Sequence, residues 1–479
     1  MAVPQHDLVV RSGTIVSPGH REIADLGVRD GRIAQLGGAM TGQEELDASG
    51  LLVIPGGIDA HVHLVCGALS DAMAAEFGQQ EPTWVDDFWT GSLAAIAGGI
   101  TTIGNMTFPM PGESMSAAIG RDMAGASAEA AADWFLHPVL TGDLGDARAA
   151  EIAGLAADGH ASLKVFLTDP RYVAGTPGLA DAIAVAGRAG AMTLVHCEDA
   201  EILGRTGREL IASGRGAVRY FPDARPVSAE VEAVDQAIEL AAATGAPVYV
   251  VHLSSAAALD RCRRARAQGL PVYVETRPLY LHLTKDRFSE PDAAKYVGAP
   301  PLRDQSDRDA LWRGLATGEI DTVCSDHAPW TLSAKLDPAL DVVTARQGVA
   351  DLETLMPMLF SEGVATGRIS LDRFVELTSA NAARLFGLYP RKGAIADGSD
   401  ADLALWDPQR HATIDGASMH SRAGYSVYDG WDVQGWPRFV LRRGQVVLTD
   451  GRPTVQPGQG RWVRRDPVGR PAPPADGPS

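Results

Sequence analysis

Residues 51–63 read Leu51-Leu52-Val53-Ile54-Pro55-Gly56-Gly57-Ile58-Asp59-Ala60-His61-Val62-His63, an apolar run ending in two histidines one residue apart. Side chains two apart on a strand share a face, so His61 and His63 aim their imidazoles at a common point. A metal ion needs that arrangement. Alone, a His-x-His pair is weak evidence, and two incidental histidines would be the ordinary reading. Four further residues change the balance, because each closes its own apolar, strand-like run. They are Lys164 in Ser-Leu-Lys-Val-Phe-Leu, His196 in Thr-Leu-Val-His-Cys-Glu, His252 in Tyr-Val-Val-His-Leu-Ser-Ser and Asp326 in Thr-Val-Cys-Ser-Asp-His-Ala-Pro.

Outward from this stretch, apolar runs alternate with Ala-rich helical segments over residues 56–389. Eight strands are predicted, near 52–63, 100–108, 133–140, 162–168, 192–197, 247–253, 271–276 and 321–326. Helical stretches such as Ala229–Thr244 and Ala256–Gln268 lie between most of them. This alternation is the signature of an α/β fold with a parallel sheet. Eight strand–helix units close most naturally into a (β/α)8 TIM-like barrel, whose active site lies at the C-terminal strand ends. All six candidate residues fall at or near such ends. Residues 1–55 read instead as short strands, with Asp30-Gly31 as a hairpin signal between alternating apolar residues. Residues 390–452 read the same way, and the two segments are expected to pair in one small β domain interrupted by the barrel. Residues 453–479, rich in Pro, Gly and Arg, are expected to form an extended or disordered tail.

The formal net charge of −18 argues against nucleic acid or an anionic membrane surface as partner. No apolar stretch is long enough to span a bilayer. The N-terminus, Met-Ala-Val-Pro-Gln-His-Asp, lacks the basic and apolar regions of a signal peptide. The four cysteines are too few for a disulfide framework, and a reducing cytoplasm is expected.

Four imidazoles and a carboxylate suit zinc or a similar divalent ion. The set exceeds the needs of one metal, so two are expected; a pair can share a bridging hydroxide and polarise a carbonyl. Lys164 stands apart, because an ammonium has three donors and no acceptor and cannot ligate a metal. Two readings of it stay open. It is an interior lysine paired with Asp326 or Glu198, or its neutral amine captures carbon dioxide as an anionic carbamate with one oxygen for each of two metals.

Read in order, several stretches carry a resemblance. They include Pro-Gly-Gly-Ile-Asp-Ala-His-Val-His-Leu, Ala-Gly-Gly-Ile-Thr-Thr (97–102), Leu-Lys-Val-Phe-Leu, His-Cys-Glu-Asp and Val-His-Leu-Ser-Ser. Glu-Thr-Arg-Pro-Leu-Tyr-Leu, Lys-Tyr-Val-Gly-Ala-Pro-Pro-Leu-Arg, Ser-Asp-His-Ala-Pro and Pro-Arg-Lys-Gly-Ala-Ile-Ala-Asp-Gly-Ser-Asp-Ala-Asp-Leu follow. The chain, apart from its tail, resembles the cyclic amidohydrolases (dihydropyrimidinase, hydantoinase, allantoinase) of the metal-dependent amidohydrolase superfamily. The resemblance implies a barrel flanked by a β-sandwich made from both chain ends, and a homotetramer. It implies two metal ions, usually zinc, bridged by carboxylated Lys164. His61 and His63 would bind one metal with Asp326, and His196 and His252 the other. A bridging hydroxide would attack the ring amide carbonyl, with Asp326 carrying the proton to the departing nitrogen. No Gly-x-Ser-x-Gly elbow offers a serine nucleophile instead.

The chain also departs from the pattern. Hydantoinases carry a carbonyl-binding tyrosine five residues after the lysine; here Asp169 stands there, and Tyr172 is the nearest substitute, otherwise a packed loop tyrosine. The substrate-binding arginine of dihydroorotases is replaced by Val65, which argues against that activity. Residues 347–357 look like the allantoinase and L-hydantoinase types, whereas Tyr428-Asp429-Gly430 and Gly435-Trp436-Pro437 look like hydantoinase and dihydropyrimidinase. His327 is a candidate substrate contact or a hydrogen-bonding partner of the metal site. His137 reads as a core histidine, and Cys66, Cys197 and Cys324 as small fillers. Two functions follow for testing. One is hydrolysis of a cyclic amide or ureide of the hydantoinase or dihydropyrimidinase type, with allantoinase as the alternative. The other is a non-catalytic interaction protein on the same fold.

Overall fold

The structure, a computed structural model, describes residues 5–65, 83–141, 145–168 and 178–468. Tyr172, Asp169 and Cys66 lie outside the described residues. The first five strands are β1 (His6–Ser17), β2 (His20–Arg29), β3 (Arg32–Leu36), β4 (Gly42–Asp47) and β5 (Leu52–Pro55). Asp30 and Gly31 both take positive φ, 53° and 76°, which makes the two-residue turn that joins β2 to β3.

The predicted strand at 52–63 is two strands, β5 and β6 (Gly57–Val62). Gly56 forms the corner: a Cβ there would lie 2.3 Å from Oγ1 of Thr101. Seven more strands follow at the predicted places. They are β7 (Ile100–Thr107), β8 (Asp133–Pro138), β9 (Ser162–Phe166), β10 (Met192–His196), β11 (Val248–Val250), β12 (Val272–Thr276) and β13 (Thr322–Val323). All pairings among β6–β8 and among β9–β13 are parallel, in chain order. A parallel bridge between Val139 and Lys164 links the two sheets, and another between Val62 and His327 links the far ends. The architecture is therefore α/β, with the helices placed by local caps. Asp87, Ser114, Asp199 and Ser255 each accept a backbone N–H of the helix they start.

The last strands are β14 (Leu403–Thr413), β15 (Asp432–Arg442), β16 (Gln445–Thr449) and β17 (Arg452–Pro453). β14 pairs antiparallel with β5, and β5 pairs with β1, so both chain ends join one nine-stranded sheet. A buried cluster including Ile58, Ala60, Met106, Phe135, Met192, Leu194 and Tyr249 ties five of the parallel strands together.

Of the extended or disordered tail expected after residue 453, the part as far as Val468 lies in order against the rest of the chain. The N–H of Trp134 donates to Arg461 O at 3.0 Å, and Val463 N–H to Trp134 O at 2.8 Å, alongside β8. Arg465 is fully buried and donates to Leu136 O and Ser162 Oγ. Composition signalled disorder, but backbone pairing and one buried arginine outweigh it.

Candidate metal centre and cavity

Six side chains brought together by five different strands line one cavity of about 1340 Å³: His61, His63, Lys164, His196, His252 and Asp326. The parallel sheet sets this convergence, because consecutive strands present their C-terminal ends on the same side. Two of the six sit on strained backbone. His252 has φ +38° and Asp326 φ +49°, left-handed conformations that non-glycine residues rarely adopt and that concentrate at functional sites.

His61 and His63 face Asp326. Its Oδ1 lies 3.3 Å from His61 Nε2 and 3.1 Å from His63 Nε2. Among the described residues, one ligand atom from each of these three comes within 4.8 Å of the others, a group able to hold a metal ion. Glu275 Oε1 takes the other nitrogen of His61, Nδ1, at 2.8 Å, which orients the ring and leaves Nε2 to the cavity. The same oxygen accepts the backbone N–H of His252 at 2.9 Å.

His196 is held from behind by Glu198, whose Oε2 lies 2.9 Å from Nε2, leaving Nδ1 available. Arg225 donates to both oxygens of Glu198. Burial alone would raise the Glu198 carboxyl, but Arg225 and His196 hold it down at about 2. The rings of His196 and His252 meet edge to face at 4.4 Å. Burial lowers the pKa of His63, His196 and His252, so these imidazoles are neutral at pH 7, the form that binds a metal.

Lys164 is fully buried on β9, and its Nζ has no hydrogen-bond partner among the described residues. The pairing with Asp326 or Glu198 left open by the sequence is not formed. Burial lowers the amine to about 8, against the opposing pull of Glu275 and Asp326. A buried amine without a hydrogen bond is costly, and His61 Nε2 likewise makes no hydrogen bond despite its 3.3 Å approach to Asp326 Oδ1. A metal pair with a carbamate would satisfy both, so this donor set fits the group the resemblance implies.

Asp326 carries a second contact. Its Oδ2 accepts from Nη1 of the buried Arg277 at 2.6 Å. Burial would raise this carboxyl, but Arg277 and His61 hold it well below the usual carboxylate range. His327 does not line the cavity. Its Nε2 meets Asp86 Oδ2 at 2.9 Å, and its Nδ1 accepts the N–H groups of Asp351 and Leu352. Both ring nitrogens are thus taken by Asp86, Asp351 and Leu352, none of which is a candidate metal ligand, and none is left for substrate. His137 is a core histidine satisfied by Ser162 Oγ and Ala60 O. Cys197 and Cys324 are buried free thiols.

The sequence reading passed over Glu275, Arg277 and Asp86. Their one local signal was charge beside apolar runs; the partners that define them lie far along the chain. Aromatic walls also appear only in three dimensions. Trp84 lies 4.8 Å and Phe108 5.8 Å, ring to ring, from His63, and Phe166 lies 5.6 Å from His196.

A model of the amidohydrolase family matches residues 52–447. The D-phenylhydantoinase of Escherichia coli O1:K1 / APEC is 37% identical over 466 residues, covering 96% of this chain and 98% of its own length. The D-hydantoinase of Ralstonia pickettii is 35% identical over 464 residues, with 96% and 99% covered. The crystal structure of dihydropyrimidinase from Brevibacillus agri NCHU1002 superposes with a TM-score of 0.90 at 35% identity, covering 97% of this chain and 99% of that one.

Proposed function

We propose a function from one premise: this chain belongs to the amidohydrolase family. It is a hydrolase that opens the ring of a cyclic amide or ureide of the hydantoin or dihydropyrimidine type. The observation that carries this reading is the convergence of His61, His63, Lys164, His196, His252 and Asp326 on one cavity. Near full-length similarity to hydantoinases supports the substrate class over the allantoinase alternative. The complete set of ligand-competent side chains argues against a non-catalytic role.

His61, His63 and Asp326 would hold one divalent metal, His196 and His252 a second, and carboxylated Lys164 would bridge them; zinc suits these donors. When bound, such a pair polarises a carbonyl and makes water a nucleophile at neutral pH. The protein's own groups do the rest. Glu275 and Glu198 fix the tautomers of His61 and His196. Asp326, ionised at neutral pH, accepts the proton of the attacking water and delivers it to the departing ring nitrogen. Trp84, Phe108 and Phe166 exclude water from that side and offer stacking surface to an apolar ring substituent.

The same reading takes residues 56–389 as a closed (β/α)8 barrel, joined through the Val62–His327 and Val139–Lys164 bridges. It takes residues 1–55 with 390–452 as the flanking β-sandwich, and the particle as a cytoplasmic homotetramer. No helix among the described residues is long and apolar enough to cross a membrane. The test is turnover by zinc-loaded protein of hydantoin, 5-phenylhydantoin, dihydrouracil, allantoin and succinimide. Ring opening of a hydantoin or of dihydrouracil is expected. Turnover of allantoin alone, or of none of these, would reject the assignment.

A further inference from the structure

We propose that Arg277 is a positioning residue that locks the carboxylate of Asp326 in place and is itself steadied from behind by Asp351. The inference rests on the hydrolase reading above only for its kinetic consequence; the lock itself stands on geometry.

Arg277 directly follows β12, and its guanidinium is completely buried. An arginine stays charged in a protein interior, so it is tolerated there only beside anions. Two are present. Nη1 donates to Asp326 Oδ2 at 2.6 Å, and Nη2 lies 3.8 Å from Oδ2 of the equally buried Asp351. Nε and Nη2 have no hydrogen-bond partner among the described residues. The pocket therefore does not saturate the guanidinium. A poorly satisfied buried cation is expensive to keep, which points to a purpose other than stability.

The contact divides the two oxygens of Asp326. Oδ1 faces the imidazoles of His61 and His63, and Oδ2 is gripped by Arg277. Without that grip the carboxylate could turn about its side-chain bonds on a backbone already held in a left-handed conformation. The rear carboxylate is itself held in place. Thr354 Oγ1 donates to Asp351 Oδ1 at 3.3 Å, and the Asp351 N–H donates to His327 Nδ1. The Nε2 of His327 meets Asp86, which also accepts from Ser421 Oγ. A row of contacts, hydrogen-bonded at every step except the 3.8 Å approach of Arg277 to Asp351, thus runs from Asp326 through Arg277, Asp351 and His327 to Asp86 and the loop before β15.

The test compares wild type with Arg277→Met, Arg277→Lys and Asp351→Asn, using hydantoin and 5-phenylhydantoin, and records the visible spectrum of each cobalt-loaded protein. Misplacing a reacting group by about 1 Å costs roughly 100-fold. Arg277→Met should lose about 100-fold in kcat with KM within about twofold, and its cobalt bands should shift. Arg277→Lys should recover at least about tenfold of that loss, with bands close to wild type. Asp351→Asn should move both readouts in the same direction by less. If Arg277→Met does not fold, the lysine and asparagine variants decide. Wild-type kcat and spectrum in Arg277→Met, or, where that variant does not fold, in both of the others, would overturn the proposal. So would a loss in Arg277→Met that lysine leaves unrestored while the spectrum is unchanged. Should wild type open neither hydantoin, the hydrolase reading fails there, and the cobalt spectra still judge Arg277.

Discussion

The Oε1 atom of Glu275, on β12 of the other parallel sheet and 214 positions along the chain, sits 2.8 Å from Nδ1 of His61. One carboxylate oxygen thereby sets which nitrogen of a candidate ligand faces the cavity. Removing such a partner typically costs 10–100-fold in metal affinity. Glu275→Gln should therefore weaken metal retention by about that factor, measured by dialysis against a graded chelator series. Retention equal to wild type would mean that His61 does not depend on Glu275.

Lys164 makes a prediction about pH. Its buried amine titrates near 8 in the fold, against 10.5 for an ordinary lysine. Between these values the unfolded chain binds more protons than the folded one, so folded stability rises with pH there. The contribution is complete above about 10.5 and lost as pH falls through about 8. Urea midpoints of metal-free protein across this window should rise for this reason, and Lys164→Met should flatten the rise. Equal slopes for the two proteins would show that the amine is not desolvated.

The same lysine is proposed to carry a carboxyl group. Lys164→Ala should lose metal and turnover, and short carboxylic acids should restore part of both. Full activity in Lys164→Arg would contradict the carbamate, because a guanidinium cannot form one.

Asp326→Asn keeps size and a weak metal-binding oxygen but removes the proton carrier. Loss of such a group typically costs about 10²–10⁴-fold in rate. The variant should keep its fold and most of its metal, by circular dichroism and elemental analysis, while turnover falls by at least that factor. Wild-type turnover with metal bound would reassign the proton to another group.

Trp84, ring to ring 4.8 Å from His63, should select for substituted rings. Losing one aromatic contact of about 1.4 kcal/mol corresponds to about tenfold in affinity. Trp84→Ala should raise KM for 5-phenylhydantoin about tenfold and for hydantoin hardly at all. Equal changes for both would place the phenyl group elsewhere in the cavity.

The amino-acid sequence by itself determined the strand–helix alternation, the Asp30-Gly31 turn and the six candidate residues. These are local signals: apolar runs of strand length, a dipeptide suited to positive φ, and a polar residue at the end of an apolar run. They are readable because each depends on neighbours within a few positions. Tertiary structure alone decided the split at Gly56, which depends on Thr101 filling the space a Cβ would need. It decided that His327 turns to Asp86, that Lys164 Nζ finds no hydrogen-bond partner among the described residues and that Arg277 reaches Asp326. It also decided that residues 461–465 pack beside β8 despite a disorder-prone composition. Each of these outcomes is a contact between residues far apart in the chain. The energy of such a contact arises only when the fold brings both partners out of water together, so no window of sequence contains it.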